Sequence, residues 1–188
     1  MNRAEMSQMR ALLPSAIRMA LPALGSVLAL SACARPAPPE GPAPATLAKA
    51  DPIIVALQPT ARGVRVIARV DQPDLGGDTI RTAARAVRQL ARAVQNQAPD
   101  LPPAATVLTF DLYGVDVDKF GKRTQGRLFE TDFDLGDLHA IDLKHKGPAA
   151  VLNTAIDLRI DKPGIDPINA WCMRYPHVGG DYCEMAGD

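Results

Sequence analysis

Serine is absent from the chain after Ser31, so the region beyond it offers no serine nucleophile. Aromatic residues make up 4% of the sequence, which leaves a core to be built from alanine, valine, leucine and isoleucine. It also leaves few stacking platforms for nucleic acid. Net charge is missing too: 21 basic residues face 21 acidic ones, and the balance gives no electrostatic case for a nucleic-acid partner. No glycine-rich phosphate loop is present, because the stretch LGGD at 75–78 lacks the lysine and hydroxyl at the required spacing. Histidine is confined to His139, His145 and His177, and cysteine to Cys33, Cys172 and Cys183.

The most apolar run, Met19–Leu30, is interrupted by Pro22 and Gly25 and falls short of the roughly 20 residues a membrane-spanning helix needs. It follows a basic start with Arg3, Arg10 and Arg18 against the single Glu5, and it ends in small residues. That order describes a secretory signal peptide over 1–32. Leu30, Ser31, Ala32 and Cys33 resemble the lipobox of bacterial lipoproteins, an aliphatic residue and two small ones before a cysteine. The resemblance implies that Cys33 receives a diacylglyceryl group, that cleavage falls just before it, and that the new amino terminus is acylated. Two or three acyl chains suffice for stable anchoring, where one does not. Ala34, in place of the aspartate that often retains such proteins at the inner membrane, implies the outer membrane, facing the periplasm.

Residues 33–50 read as a tether. Prolines at 36, 38, 39, 42 and 44 favour an extended polyproline conformation that, at about 3.1 Å per residue, spans roughly 50 Å. The tether either lets the following domain reach a partner or holds it clear of the headgroups.

The folded domain is expected over 51–188. Residues 53–57 and 64–70 alternate or cluster apolar side chains around Pro59 and Gly63, which predicts a hairpin. Asp78 caps a predicted helix running to Gln97, with Ile80, Ala84, Val87, Ala91 and Val94 on one stripe. Residues 106–113 and 125–133 read as strands joined by a turn, Asp134 as the cap of a short helix through Ile141, and 154–160 as another strand. Asp166 and Pro167 predict the start of a helix whose Ile168, Trp171, Cys172 and Tyr175 face one way. Without regular alternation of strand and helix, the pattern predicts an α+β fold. It is a single small domain with a mostly antiparallel sheet, one long helix and short helices on a face.

If Cys33 carries lipid, Cys172 and Cys183 remain as a pair, and export to an oxidising compartment makes them a disulfide. The rival is zinc held by Cys172, His177 and Cys183 with Asp181 or Glu184, at a spacing that matches no structural zinc pattern. Calcium fares no better. An EF-hand loop from Asp132 needs glutamate where Leu143 stands, and one from Asp116 needs an oxygen ligand where Phe120 stands. Asp116, Asp118, Asp132, Asp134 and Asp137 therefore read as a solvated hairpin edge and a helix cap, and His139, Asp142 and His145 as surface residues near a helix end.

Arg81, Arg85, Arg88 and Arg92, spaced four, three and four, form a stripe beside the apolar face of the long helix. It reads as a docking surface for an acidic partner or anionic headgroups, or as a solvated flank paired with downstream acids. The sum is a lipid-anchored periplasmic interaction protein, an accessory or assembly component of an envelope complex, with no enzymatic activity and no cofactor. The alternative is a binding module for a small molecule, a metal or an envelope polymer. Paired carboxylates of raised pKa in a cleft would instead favour a hydrolase.

Overall fold

The structure, a computed structural model, describes residues 45–73, 78–117 and 120–187. The signal segment, Cys33, most of the tether and Asp118 lie outside them. Strands β1 (Ile54–Pro59) and β2 (Gly63–Pro73) form the expected hairpin, closed where the Thr60 N–H donates to the Gly63 carbonyl at 2.9 Å. Helix α1 (Asp78–Gln95) follows, its apolar stripe fully buried from Ile80 to Leu90. It stops two residues short of the predicted end, because Gln97 turns into the left-handed region at φ 53°. Strands β3 (Val107–Val117) and β4 (Arg123–Asp134) are longer than their apolar alternation suggests, and β5 (Ala155–Ile160) completes one sheet in the order β1-β2-β3-β4-β5.

Three of the four strand pairings are antiparallel and the β2–β3 pairing is parallel. A parallel neighbour needs a crossover, and α1 is that crossover. The expected lack of regular strand–helix alternation thus holds elsewhere, while one βαβ unit occupies the centre of the sheet. Alternation places Val64, Val66, Leu108, Phe110, Phe129 and Phe133 on one face, all buried in a single core with the side chains of α1.

Shorter helices finish the helical layer. Asp134 caps α2 (Leu135–Ala140) as expected, its Oδ1 accepting from the Gly136 and Asp137 N–H groups at 2.7 and 3.2 Å. Helix α3 (Pro148–Leu152), which the sequence pattern did not suggest, packs Val151 and Leu152 into the core. Helix α4 (Ile165–Arg174) starts earlier than the Asp166–Pro167 pair predicts, with Gly164 at the cap and no side chain in that role. Helix α5 (Gly180–Gly187), which follows a turn at 176–178, carries Cys183.

The fold is also stapled at both ends. The Cys172–Cys183 disulfide joins α4 to α5, which excludes the two sulfurs as free zinc ligands. It seats α5 so that Tyr182 lies fully buried, edge-on to Trp171 and Phe129. At the other end the domain begins before residue 51. Leu47, in a 3-10 turn over Leu47–Lys49, is completely buried, and the N–H groups of Leu47 and Ala48 donate to the two Asp100 carboxylate oxygens at 2.8 and 3.0 Å. Leu47 thus belongs to the packed core, where burying its side chain contributes about 2 kcal/mol to stability.

Two tests address this corner. A Cβ on Gly179 would fall 2.2 and 2.4 Å from ring atoms of Trp171, whereas one on Gly180 meets nothing within 4 Å. Gly179→Ala should therefore cost about 2 kcal/mol or more in urea unfolding, and Gly180→Ala should be near neutral. The Tyr182 hydroxyl is buried without a hydrogen-bond partner among the described residues. Tyr182→Phe should raise the unfolding free energy by about 1 kcal/mol, since it removes an unsatisfied group and keeps the ring.

Candidate functional site

The alternation that buries one sheet face sends a different set of side chains to the other. In register across the strands, Arg65 of β2 stands opposite Thr109 of β3, Asp111 of β3 opposite Glu130 of β4, Thr109 opposite Asp132, and Glu130 opposite Arg159 of β5. Side chains directly opposite in a sheet are close enough to interact. The result is a patch of carboxylates on the central strands framed by arginines from the flanking ones.

The three carboxylates are buried although no helix among the described residues lines the depression above them. The Asp111 side chain is 2% exposed, and those of Glu130 and Asp132 are each 4% exposed. The arginine stems cover them. Arg65 reaches Asp111 Oδ2 at 3.3 Å and Glu130 Oε2 at 3.4 Å, and Arg127 donates to Glu130 Oε2 at 2.7 Å and to Asp161 Oδ2 at 2.5 Å. Arg159 Nη2 is shared by Glu130 Oε1 at 2.7 Å, Asp157 Oδ2 at 3.2 Å and Asp132 Oδ2 at 3.3 Å. Thr109 donates its hydroxyl to Asp132 Oδ1 at 2.6 Å, and Arg62 approaches Asp132 Oδ2 at 3.5 Å. Burial of a carboxylate costs several kcal/mol unless a partner offsets it, and Glu130 and Asp132 have partners on both oxygens.

Asp111 is the exception. Its Oδ1 is buried with no hydrogen-bond partner among the described residues. Burial, and then the neighbouring Glu130 carboxyl, push its pKa up to about 6 against the opposing pull of Arg65 and Arg127. The hydrogen bond to Asp161 has the opposite kind of effect on Arg127, holding its guanidinium charged more firmly than usual.

A depression of about 240 Å³ opens above this network, lined by Thr60, Ala61, Arg62, Arg65, Val107, Thr109, Glu130, Asp132 and Arg159. The Arg62 backbone is fixed at its edge, because its carbonyl accepts from the Thr106 and Val107 N–H groups at 2.8 and 3.1 Å. Asp111 and Glu130 form a carboxyl pair with one raised pKa, the combination that acid–base catalysis uses. Their placement argues for structure instead: Asp111 lies beneath Arg65 and does not line the depression, and both Glu130 oxygens are committed to guanidinium groups.

The arginine stripe of α1 divides. Arg81 and Arg85 are exposed, and Arg81 pairs with Asp78 in its own first turn at 3.0 Å. Arg85 donates to the Thr82 hydroxyl at 3.4 Å. Arg88 instead donates to the Leu143 and Lys146 carbonyls, fastening the segment between α2 and α3, and Arg92 donates to Gln89 Oε1 at 3.3 Å. Asp111, Glu130, Asp132 and Asp161 pair instead with Arg62, Arg65, Arg127 and Arg159. His145 contacts Asp142 at 2.6 Å on the surface, and among the described residues no group of three His, Cys, Asp or Glu could hold a metal ion.

Asp132 corrects the reading of the acidic run, for it belongs neither to a solvated edge nor to a cap. The signal that would have found the site is a period-two pattern repeated in four segments. Thr109 and Asp111, Glu130 and Asp132, and Asp157 and Arg159 each skip one residue within a strand, and Arg65 and Arg69 share a face four residues apart. No protein-family model, curated protein or solved structure matches the chain, so the reading of its function rests on these residues.

The pKa of Asp111 lies above the unfolded value near 4, so the stability this group contributes is present below about pH 4 and is lost as pH rises through about 6. Asp111→Asn should remove that loss. Urea unfolding of both proteins at pH 4, 5 and 7 should show the variant gaining on the parent as pH rises, by on the order of 2 kcal/mol at pH 7. Parallel pH profiles would contradict the raised pKa.

Proposed function

We propose that the protein is a lipid-anchored component of the bacterial envelope, held at the outer membrane through Cys33 and facing the periplasm, where it engages a protein partner without catalysing a reaction. The observation that carries the reading is the Cys172–Cys183 disulfide. The chain has three cysteines, and with two bonded to each other the remaining one is the cysteine of the Leu30–Cys33 lipobox pattern. A disulfide also suits an oxidising compartment. Among the described residues no helix is long and apolar enough to cross a membrane, and the reading assigns attachment to acyl chains.

A role in interaction is supported by the exposed Arg81 and Arg85 on α1, which suit an acidic partner surface. The 240 Å³ depression favours a second reading, a binding module for a small molecule.

Intact mass of the protein extracted from membranes, before and after reduction and alkylation, tests the proposal. The expected species begins at Cys33, carries acyl mass, and gains two alkyl groups only after reduction. An unlipidated chain would remove the envelope assignment. The partner claim is tested separately: affinity capture of the intact lipoprotein should retain a stable envelope protein, and Arg81→Glu with Arg85→Glu should release it.

A further inference from the structure

We infer that the Cys172–Cys183 bond is a redox latch on helix α5. Reduction by a dithiol frees the helix and uncovers the aromatic cluster beneath it, while the sheet keeps its form. The inference rests on the disulfide and needs neither the lipid anchor nor a protein partner.

Without the bond, little holds α5. The helix has eight residues, a glycine at each end and one fully buried side chain, Tyr182, with Met185 and Ala186 partly buried against the core. A helix this short does not persist in water without its packing, and the terminal glycines weaken it further. The seat is also imperfect. The Tyr182 hydroxyl is buried with no hydrogen-bond partner among the described residues, and release returns it to water. Asn153 adds two ties near the surface, its Nδ2 donating to the Val178 carbonyl at 3.1 Å and its Oδ1 accepting from the Tyr182 N–H at 3.4 Å. The covalent tie, spanning 11 residues, favours the docked helix by roughly a hundredfold in the chain-entropy model.

Helix α4 keeps its own attachments when α5 leaves. Ile168 and Trp171 are buried, and Gly164 at its start lies so close to the Leu128 carbonyl that no side chain fits there. That carbonyl also accepts from the Asp161 N–H at 2.9 Å. Release is therefore confined to α5, and it opens the faces of Trp171 and Phe129 that Tyr182 covers at ring separations of 6.0 and 6.3 Å. Both cysteines are half-buried, within reach of a small dithiol. One thiolate of the dithiol attacks a sulfur to form a mixed disulfide, and its second thiol then displaces the protein sulfur. Two electrons and two protons thus pass to Cys172 and Cys183, which become thiols, and the dithiol departs as a disulfide.

The test uses the full chain in nonionic detergent with dithiothreitol and no denaturant. Alkylation of Cys172 and Cys183 reads reduction, hydrogen exchange resolved by peptide reads α5 and the sheet, and acrylamide quenching reads Trp171, the single tryptophan. In the reduced protein the α5 amides should exchange about tenfold faster or more, and quenching of Trp171 should rise, while β2, β3 and β4 stay protected. In reduced Tyr182→Phe, α5 should exchange about fivefold more slowly than in the reduced parent, because the group whose hydration favours release is gone. An unchanged rate in that variant overturns the part assigned to the hydroxyl. Failure of dithiothreitol to reduce the bond, undiminished protection of α5 and Trp171 after full reduction, or loss of protection across the sheet overturns the latch. None of these results bears on the Cys33 anchor, which the mass measurement decides on its own.

Discussion

A five-stranded sheet with its helices on one side has to close the other side with its own side chains. The central strands β3 and β4 are flanked by neighbours on both edges, so side chains on their second face are crowded even where no helix covers them. This chain fills that space with carboxylates and roofs them with arginine stems. Each arginine comes from a neighbouring strand, from the turn beside one, or from β4 itself, so the ion pairs cross-link β2, β3, β4 and β5 at right angles to the backbone ladder. The pairing answers the cost of burying charge more than it adds net stability, since a buried pair rarely outperforms packed apolar side chains. What it supplies is cross-linking between strands at a fixed register.

The helical side obeys the more familiar rule. The 3.6-residue stripe of α1, the alternation in the strands, the cap at Asp134 and the cysteine pairing were all legible in the sequence because each depends on neighbours a few residues away or, for the disulfide, on counting. The β2–β3 pairing was not. Nothing local distinguishes a strand that pairs in parallel with the next from one that does not, and only the crossover by α1 decides it. Helices α3 and α5 are short and rest on contacts with the core, Val151 and Leu152 in one and Tyr182 in the other, so their own periodicity is too brief to be read. Leu47 was hidden for a different reason: it is a single apolar residue behind a proline-rich run, and its partner Asp100 lies 53 residues away.

The candidate site was missed through a bias in how acidic residues are read. Aspartate runs suggest caps, edges or calcium, and Asp134 met the first of these expectations. Asp132, two residues before it, is buried instead, because β4 is an inner strand and the same alternation that hides Phe129 and Phe133 on one face hides Glu130 and Asp132 on the other. The distinction lies in the partner strands, where arginines occur at matching positions, and it emerges only when the strands are laid side by side.

The clamp between Asp100 and the Leu47–Ala48 backbone has a mechanical meaning. Load applied along the chain from its amino-terminal side reaches this clamp first, then β1, an edge strand bonded to the sheet on one side only. Two hydrogen bonds and one leucine side chain yield at low force, and β1 peels next from β2, one rung at a time. The β2–β3–β4–β5 core with its transverse ion pairs keeps its shape through both events. The amino-terminal end of the domain thus acts as a compliant spring in series with a stiff plate, taking up extension before strain reaches the polar face.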